Sequence, residues 1–302
     1  MTTFVQQLIN GLTVGSVYAL IALGYTMVYG IIELINFAHG EIYMVGAYLG
    51  IIFLTILSVM GFTSSSPVLP LLIAFVGSCV YCGAYGFALE RVAYRPLRGA
   101  PRLSPLISAL GMSIFLQNFV MLTQGTRDKV FPQLFPLTGV DVLGAKITYL
   151  QIVIMVSSAV LMIGLQLFIR KTALGTAMRA TAQDMRMAGL VGINVNRVIS
   201  VTFIIGSILA AAAGVMIGLY YGLVNFFIGY IAGIKAFTAA VLGGIGNIPG
   251  AMIGGILLGL VESFGAGYIS AEFKDVFAFC ILIVILILKP TGILGEEVRG
   301  KA

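Results

Sequence analysis

The stretch GLTVGSVYALIALGYTMVYGIIELINFAHGEIYMVGAYLG, residues 11–50, contains no lysine or arginine, and its only acidic or imidazole groups are Glu33, His39 and Glu41. A helix at the surface of a soluble protein keeps one polar face. Here the apolar character runs all round, in two blocks separated by a short polar patch. A bilayer-spanning helix needs about 20 mostly apolar residues; the first block is that long, and the second becomes so by running on to residue 61. The same pattern holds outward from this stretch. Of 302 residues, 60% are apolar and only 9% are charged, against roughly 25% charged in a soluble domain. Too few charges remain to cover a water-facing surface, so much of the solvent must be lipid.

The apolar runs predict helices near 8–30, 41–61, 67–90, 103–124, 148–169, 199–221, 232–246, 250–269 and 273–289. The fold class is therefore an all-α polytopic membrane protein, a Gly-rich bundle of about 8–9 transmembrane helices, with residues 1–302 forming one transmembrane domain. The runs 232–246 and 250–269 are separated only by GNIPG, which leaves a re-entrant or broken helix open. Residues 31–40 read as a short unwound link. The start MTTFVQQLING lacks the basic region of a cleavable signal peptide, so the first run is expected to be a retained helix.

Lysine and arginine set the orientation. The loop 91–102 holds Arg91, Arg95, Arg98 and Arg102 without an acid. The loop 170–198 holds Arg170, Lys171, Arg179, Arg186 and Arg197 against Asp184 alone. Both are expected in the cytoplasm, with the nearly neutral loop 125–147 outside, the N-terminus outside and the C-terminus inside. Because the net charge of +6 is concentrated in these two short loops, it signals orientation rather than a nucleic-acid surface.

Glycine dominates the spans, with 38 in the chain and several spaced four apart: Gly11 and Gly15, Gly46 and Gly50, Gly214 and Gly218, Gly250 and Gly254. Lipid offers helices no hydrophobic reason to associate, and close backbone approach at small residues takes its place. Cys79, Cys82 and Cys280 all fall in apolar runs. The C-x-x-C at 79–82 has no second pair and no histidine nearby, so packing is the expected role rather than redox or metal chemistry.

Loop 170–198 opens RKTALGTAMRATAQDMRMAGLVGINVN (170–196), and Leu174, Met178, Thr181, Met185 and Ala188 recur at helical spacing. Arg179, Gln183 and Arg186 fall on another face, and Gly192 ends the pattern. This predicts one amphipathic helix over 176–191, outside the bilayer core. A helix this short is marginal alone in water. It must dock, either on lipid or in a groove of a partner.

The segments GTAMRATAQDMRMAGLVGINVNRV (175–198), residues 11–50 with NFAHGE, IKAFTAAVLGGIGNIPGAMIGG (234–255) and KPTGILG (289–295) together resemble permeases of ABC importers for branched-chain amino acids, the LivH type. The resemblance covers nearly the whole chain. It implies a non-enzymatic, cofactor-free permease subunit in the bacterial inner membrane. Its implied partners are a second homologous permease subunit, two cytoplasmic ATPase subunits, an extracytoplasmic or periplasmic substrate-binding protein and membrane lipid. It also implies that the loop helix couples to the ATPase through Met178, Arg179, Asp184, Met185, Ala188, Gly192 and Ile193. The family pattern carries a Glu-Ala-Ala triplet in this loop. The matching positions are Arg186, Met187 and Ala188, so only the last alanine is kept, while Asp184, Gly192 and Ile193 match.

No G-x-x-x-x-G-K-[ST] phosphate loop occurs, so any use of ATP belongs to another chain. No metalloprotease or nucleophile-elbow motif occurs either, which argues against an intramembrane enzyme. Asn36, His39 and Glu41 stand where the helix pattern breaks, and charged groups within a membrane usually face a bundle interior or a wet cavity. One reading pairs His39 with Glu41, or uses them to cap the second helix at the inner surface. The other makes Tyr18, Asn36, His39 and Glu41 part of a translocation path or gate. A lone histidine does not suggest a metal site. Glu262, in GLVESFG, reads as a packed, hydrogen-bonded carboxylate or a proton-linked one. The rival function is a secondary transporter driven by an ion gradient through such carboxylates.

Overall fold

The computed structural model describes residues 2–62, 67–101, 103–134, 138–142 and 144–295; Arg102 lies outside the described residues. The chain is a helical bundle with two small antiparallel ribbons. Its helices are α1 (Thr2–Ile32), α2 (His39–Val59), α3 (Val68–Leu89), α4 (Leu103–Gln124), α5 (Tyr149–Lys171), α6 (Ala173–Gln183), α7 (Met185–Leu190), α8 (Val195–Tyr221), α9 (Ile228–Gly243), α10 (Ile248–Tyr268) and α11 (Lys274–Leu288). Each of the nine apolar runs is helical, and among the described residues seven helices are long and apolar enough to cross a membrane. The other two, α9 with 16 residues and α11 with 15, are shorter. At 1.5 Å per residue they reach about 24 and 22 Å, less than the ~30 Å hydrocarbon core.

The bundle is built on α1, the most deeply buried spanning helix. It runs antiparallel to α10, with Gly11 and Gly15 on one helix meeting Gly255 and Gly259 on the other. A Cβ on Gly259 would overlap the backbone of Gly15, and one on Gly15 would lie 2.9 Å from the Ile256 Cα. The contact is therefore backbone on backbone. The same device places α2 on α8, where a Cβ on Gly46 would lie 2.5 Å from the Ala211 Cα. Around this centre, α4 and α5 turn apolar side chains outward: Ile107, Phe119, Leu122, Val156 and Ile163 are all exposed. In water that would be untenable, but it is what a lipid-facing surface requires.

Two ends can be told apart. At one, α3 continues through a π-helical turn (Glu90–Tyr94) and a 3-10 turn (Arg95–Leu97), and Arg98 Nη1 donates to Asn196 Oδ1 at 2.6 Å. The two arginine-rich segments therefore share one face, called here the basic face. The tail docks there too: Ile293 N donates to Leu242 O, and Asn247 Nδ2 to Leu294 O, at 2.9 and 2.7 Å. At the opposite face, β1 (Lys129–Val130) pairs with β4 (Leu223–Val224), and β2 (Gly139–Val142) forms a hairpin with β3 (Ala145–Thr148). Phe131, from this extramembrane loop, is 1% exposed and wedges between α2 and α8 beside Gly50 and Gly218.

The expected break at GNIPG is a tight turn between antiparallel α9 and α10. Asn247 caps α10 by accepting from Gly250 N at 3.0 Å. Cys79 and Cys82 point their thiols at the Ile208 and Ile42 carbonyls of neighbouring helices, which is a packing arrangement.

The α1–α10 contact has a measurable consequence. Gly259→Val should cost on the order of 1–3 kcal/mol or more through overpacking. It should lower the melting temperature of the purified protein. Gly111→Val, on α4, where nothing lies within 4 Å of the position a Cβ would take, should leave it within error.

Candidate functional site

Three polar groupings interrupt the apolar bundle. The first is the link between α1 and α2. Glu33 ends α1 with a positive φ of 52°, and residues 33–36 are non-helical. The link begins at the basic face, where Glu33 is exposed. It then turns inward: the His39 imidazole fills the niche opposite Gly24, eight residues (about 12 Å) back along α1 from Ile32. Asn36, His39 and Glu41 are all buried. The expectation that His39 and Glu41 pair, or cap α2 at the membrane surface, is overturned. His39 stacks edge-on against Tyr25, with ring centroids 4.9 Å apart, and its Nε2 has no partner among the described residues. Glu41 Oε1 accepts from Ser113 Oγ of α4 at 3.1 Å, while Oε2 lies against Gly229 of α9 without a donor among the described residues. The α2 N-cap is Ala38, with no side-chain cap. The three residues therefore reach three different neighbours, because each side chain leaves the link in its own direction.

Asn36 opens the second grouping. Its Oδ1 accepts from Tyr94 Oη at 2.6 Å, and Tyr94 is the last residue of the π-helical turn. At the start of that turn Glu90 is fully buried, accepts from Ser200 Oγ at 2.7 Å and is ion-paired with Arg98. Arg98 also holds Asn196. Two sets of polar contacts thus lie between the first turns of α8 and the α1–α2 link, one at Glu90 and Arg98 and one at Tyr94, joined to each other by the backbone of the π-helical turn. π-Helical turns of this kind recur at functional sites. Sequence reasoning missed Glu90, Tyr94 and Arg98. The available signal was a glutamate at the end of an apolar run, eight residues before an arginine.

The segment between α5 and α8 is not the single rod expected over 176–191. It is two helices, α6 and α7, separated by Asp184 in an extended conformation (φ −153°, ψ 109°). Asp184 closes α6 and caps α7, its Oδ1 accepting from Arg186 N and Met187 N at 2.8 and 2.9 Å. Aspartate prefers to cap rather than to sit mid-helix, and that local preference outweighs the continuous apolar stripe. The break divides the predicted coupling residues. Met178 and Ala188 are each 3% exposed and face the bundle, with Ile193 partly buried. Arg179, Asp184, Met185 and Gly192 face outward. So do Met187, Leu190 and Val191, which makes α7 and its exit an exposed apolar ledge. Beside it a cavity of about 680 Å³ opens between Arg170, Arg179, Gln183, Glu33 and the α9–α10 turn.

The third grouping contains Tyr18, whose hydrogen-bond partners are Glu262 and Lys235 rather than Asn36, His39 or Glu41. Lys235 of α9, 2% exposed, lies 2.9 Å from Glu262 Oε1 and 2.6 Å from Asp275 Oδ1 of α11. Tyr18 Oη donates to Glu262 Oε2 at 2.9 Å. Glu262 is thus a packed, hydrogen-bonded carboxylate with a lysine as its partner. The sequence signal was available: Lys235 is the one cation within its apolar helix, and Glu262 the one acid within the next.

Removing one partner of a buried ion pair costs about 3–5 kcal/mol, because the other charge is left unpaired. Lys235→Met should therefore lower the melting temperature and the yield of monodisperse protein. Adding Glu262→Gln to that variant should recover part of both. Equal losses in the single and double variants would show that the pair is not coupled.

Residues 7–286 match the family model described as the permease component of the branched-chain amino acid transport system. The chain is 56% identical over 297 residues to the high-affinity branched-chain amino acid transport system permease protein BraD of Pseudomonas aeruginosa, covering 97% of this chain and 96% of that protein. It is 54% identical over 301 residues to LivH of Escherichia coli K12, with the same coverage. A probable LivH of Methanocaldococcus jannaschii is 28% identical over 294 residues, covering 92% of this chain and 88% of that protein. With its apolar spanning helices, its glycine-packed centre and these relatives along nearly its full length, the chain belongs to the branched-chain amino acid transport permease family, as an integral membrane transport component rather than an enzyme.

Proposed function

We propose that this chain is a permease subunit of an ATP-driven importer for branched-chain, apolar amino acids, forming one wall of the pathway as a single transmembrane domain. Its basic face lies in the cytoplasm, following the positive-inside rule. The observation that carries the coupling half of this reading is the apolar ledge of α7. Met185, Met187, Leu190 and Val191 are 37–81% exposed on a segment flanked by Arg179, Arg186 and Arg197. Apolar groups on such a segment need a cover, and two separate ATPase subunits supply it. The other partners are a second homologous permease subunit and an extracytoplasmic binding protein that delivers leucine, isoleucine or valine. The relatives' names support the cargo class.

ATPase closure presses α7 and, through Asn194 and Asn196, the start of α8. The contacts Asn196–Arg98–Glu90 and Tyr94–Asn36 carry that displacement to the α1–α2 link. There, Asn36, His39 and Glu41 form part of the inner gate, and Tyr18 belongs to the wall above it. A ligand or nucleotide moves such an equilibrium only by favouring one state, so the ATPase must hold α7 differently before and after hydrolysis.

Co-purification in mild detergent tests the assembly: two ATPase chains and a second permease are expected, and a chain that purifies alone argues against it. Uptake by the isolated chain in liposomes under a proton or sodium gradient would favour the secondary transporter instead. Gly192 has a φ of 89°, which strains any side chain placed there. Gly192→Val should therefore leave ATP hydrolysis running while leucine uptake per ATP falls about tenfold, within the usual range of coupling energies. Normal uptake by that variant in proteoliposomes would rule the lever out. Tyr94→Phe, which deletes only the hydroxyl on Asn36, should lower uptake severalfold without lowering the melting temperature by more than a few degrees.

A further inference from the structure

A small cavity of about 140 Å³ lies at the face opposite the basic one, lined by Gln7, Asn10, Tyr220, Tyr221, Glu262, Ser263 and Lys274 together with Val14, Gly259 and Ala266. Its floor carries the Glu262 carboxylate of the ionic grouping. Glu262, six residues before the end of α10, sits about 9 Å below the helix terminus and is 5% exposed. Beneath the lining, Lys235 lies between Glu262 at 2.9 Å and the half-exposed Asp275 at 2.6 Å, one cation against two anions, and Tyr18 Oη donates to the other oxygen of Glu262. The balancing cation, Lys274, is exposed at the rim and stands 6.0 Å over the Tyr221 ring. The cavity therefore has an anionic floor, a cationic rim and aromatic and aliphatic walls between them.

We propose that this cavity receives the zwitterionic head of an amino acid on its way in, the ammonium directed to Glu262 and the carboxylate to Lys274. This rests on the import function proposed above and adds the place where the cargo first meets this chain. A solute with one ammonium, one carboxylate and a compact apolar side chain matches the charge layout. Two separated opposite charges keep the site neutral when empty and when filled, and a free monocarboxylate or monoamine would unbalance it. A cavity of about 140 Å³ suits a single small solute. Ordered polar groups on rigid helices hold such a site without loop closure. Ser263 Oγ is held by Gln7, its one proton shared between Gln7 O at 2.9 Å and Gln7 Oε1 at 2.7 Å, and Asn10 Oδ1 accepts from Gln151 Nε2 at 3.0 Å.

The test is equilibrium binding of radiolabelled L-leucine to the purified, assembled transporter without its binding protein. The wild type should bind saturably. 4-Methylpentanoate, which lacks the ammonium, and isoamylamine, which lacks the carboxylate, should each compete at least tenfold more weakly than leucine. Lys274→Gln should weaken leucine binding about tenfold, the loss of one charge-assisted contact. Lys274 is exposed at the first turn of α11, so that variant keeps its fold. Lys146→Gln, which removes a cation from the same face outside the cavity, should bind as the wild type does. Absence of saturable binding to the wild type, equal competition by either analogue, or unchanged binding in Lys274→Gln would each overturn the proposal. The two readings fail separately. Loss of leucine uptake by the complete wild-type system removes the import function, whereas normal uptake with unaltered binding in Lys274→Gln removes only this site.

Discussion

The backbone contact between α1 and α10 is the constraint on which the rest of the molecule depends. In lipid a leucine gains little by facing another helix rather than an acyl chain, so association must come from dispersion contacts at short range and from buried polar pairs. Gly11, Gly15, Gly255 and Gly259 bring the two main chains together where side chains would hold them apart. With that spacing fixed, α9 lies close enough for Lys235 to reach Glu262, and Tyr18 on α1 can donate to the same carboxylate. With looser packing Lys235 would lose Glu262 and keep only Asp275 of α11 as its carboxylate partner, and charges within a membrane are costly when poorly paired. Packing and polarity are therefore not independent features of this bundle: the first makes the second tolerable.

The polar groups divide the molecule by depth. Near the basic face, Glu90, Arg98, Asn196 and Ser200 tie the end of α3 to the beginning of α8. Midway, His39 and Glu41 sit among apolar neighbours with one atom each left without a partner among the described residues. Glu262 and Asp275 lie toward the opposite face, and Lys235 reaches them from the middle of α9. Arg98 Nε near the basic face is likewise without a hydrogen-bond partner among the described residues, and a half-satisfied buried group is one that gains from a rearrangement or an incoming polar atom.

Much of this is legible in the residues alone. Runs of apolar residues of spanning length locate every long helix, and glycines four apart mark helices that touch. Both signals depend on short-range periodicity, which the chain displays directly. The spacing in loop 170–198 likewise displays its amphipathic character and its end near Gly192. Its division at Asp184 is hidden, because a continuous stripe of Met178, Thr181, Met185 and Ala188 masks a residue whose side chain competes for backbone donors. The polar constellations are harder still. Tyr18 is expected beside Asn36, His39 and Glu41, yet it belongs to a different grouping, since Lys235 and Glu262 are separated from it by more than 200 residues of chain. Long-range pairing of that kind leaves no periodic trace. Neither does the insertion of Phe131, whose loop looks in sequence like an ordinary polar connection.

The single extended residue between α6 and α7 gives the segment the character of a universal joint. Two rigid pieces meeting at Asp184 pass on a push along their line of contact, but a twist applied to one is taken up in the backbone torsions of the joint. A docked protein that rotates as it closes would therefore send only the translational part of its stroke into the spanning helices, leaving their azimuths, and with them the glycine faces of α1 and α10, undisturbed.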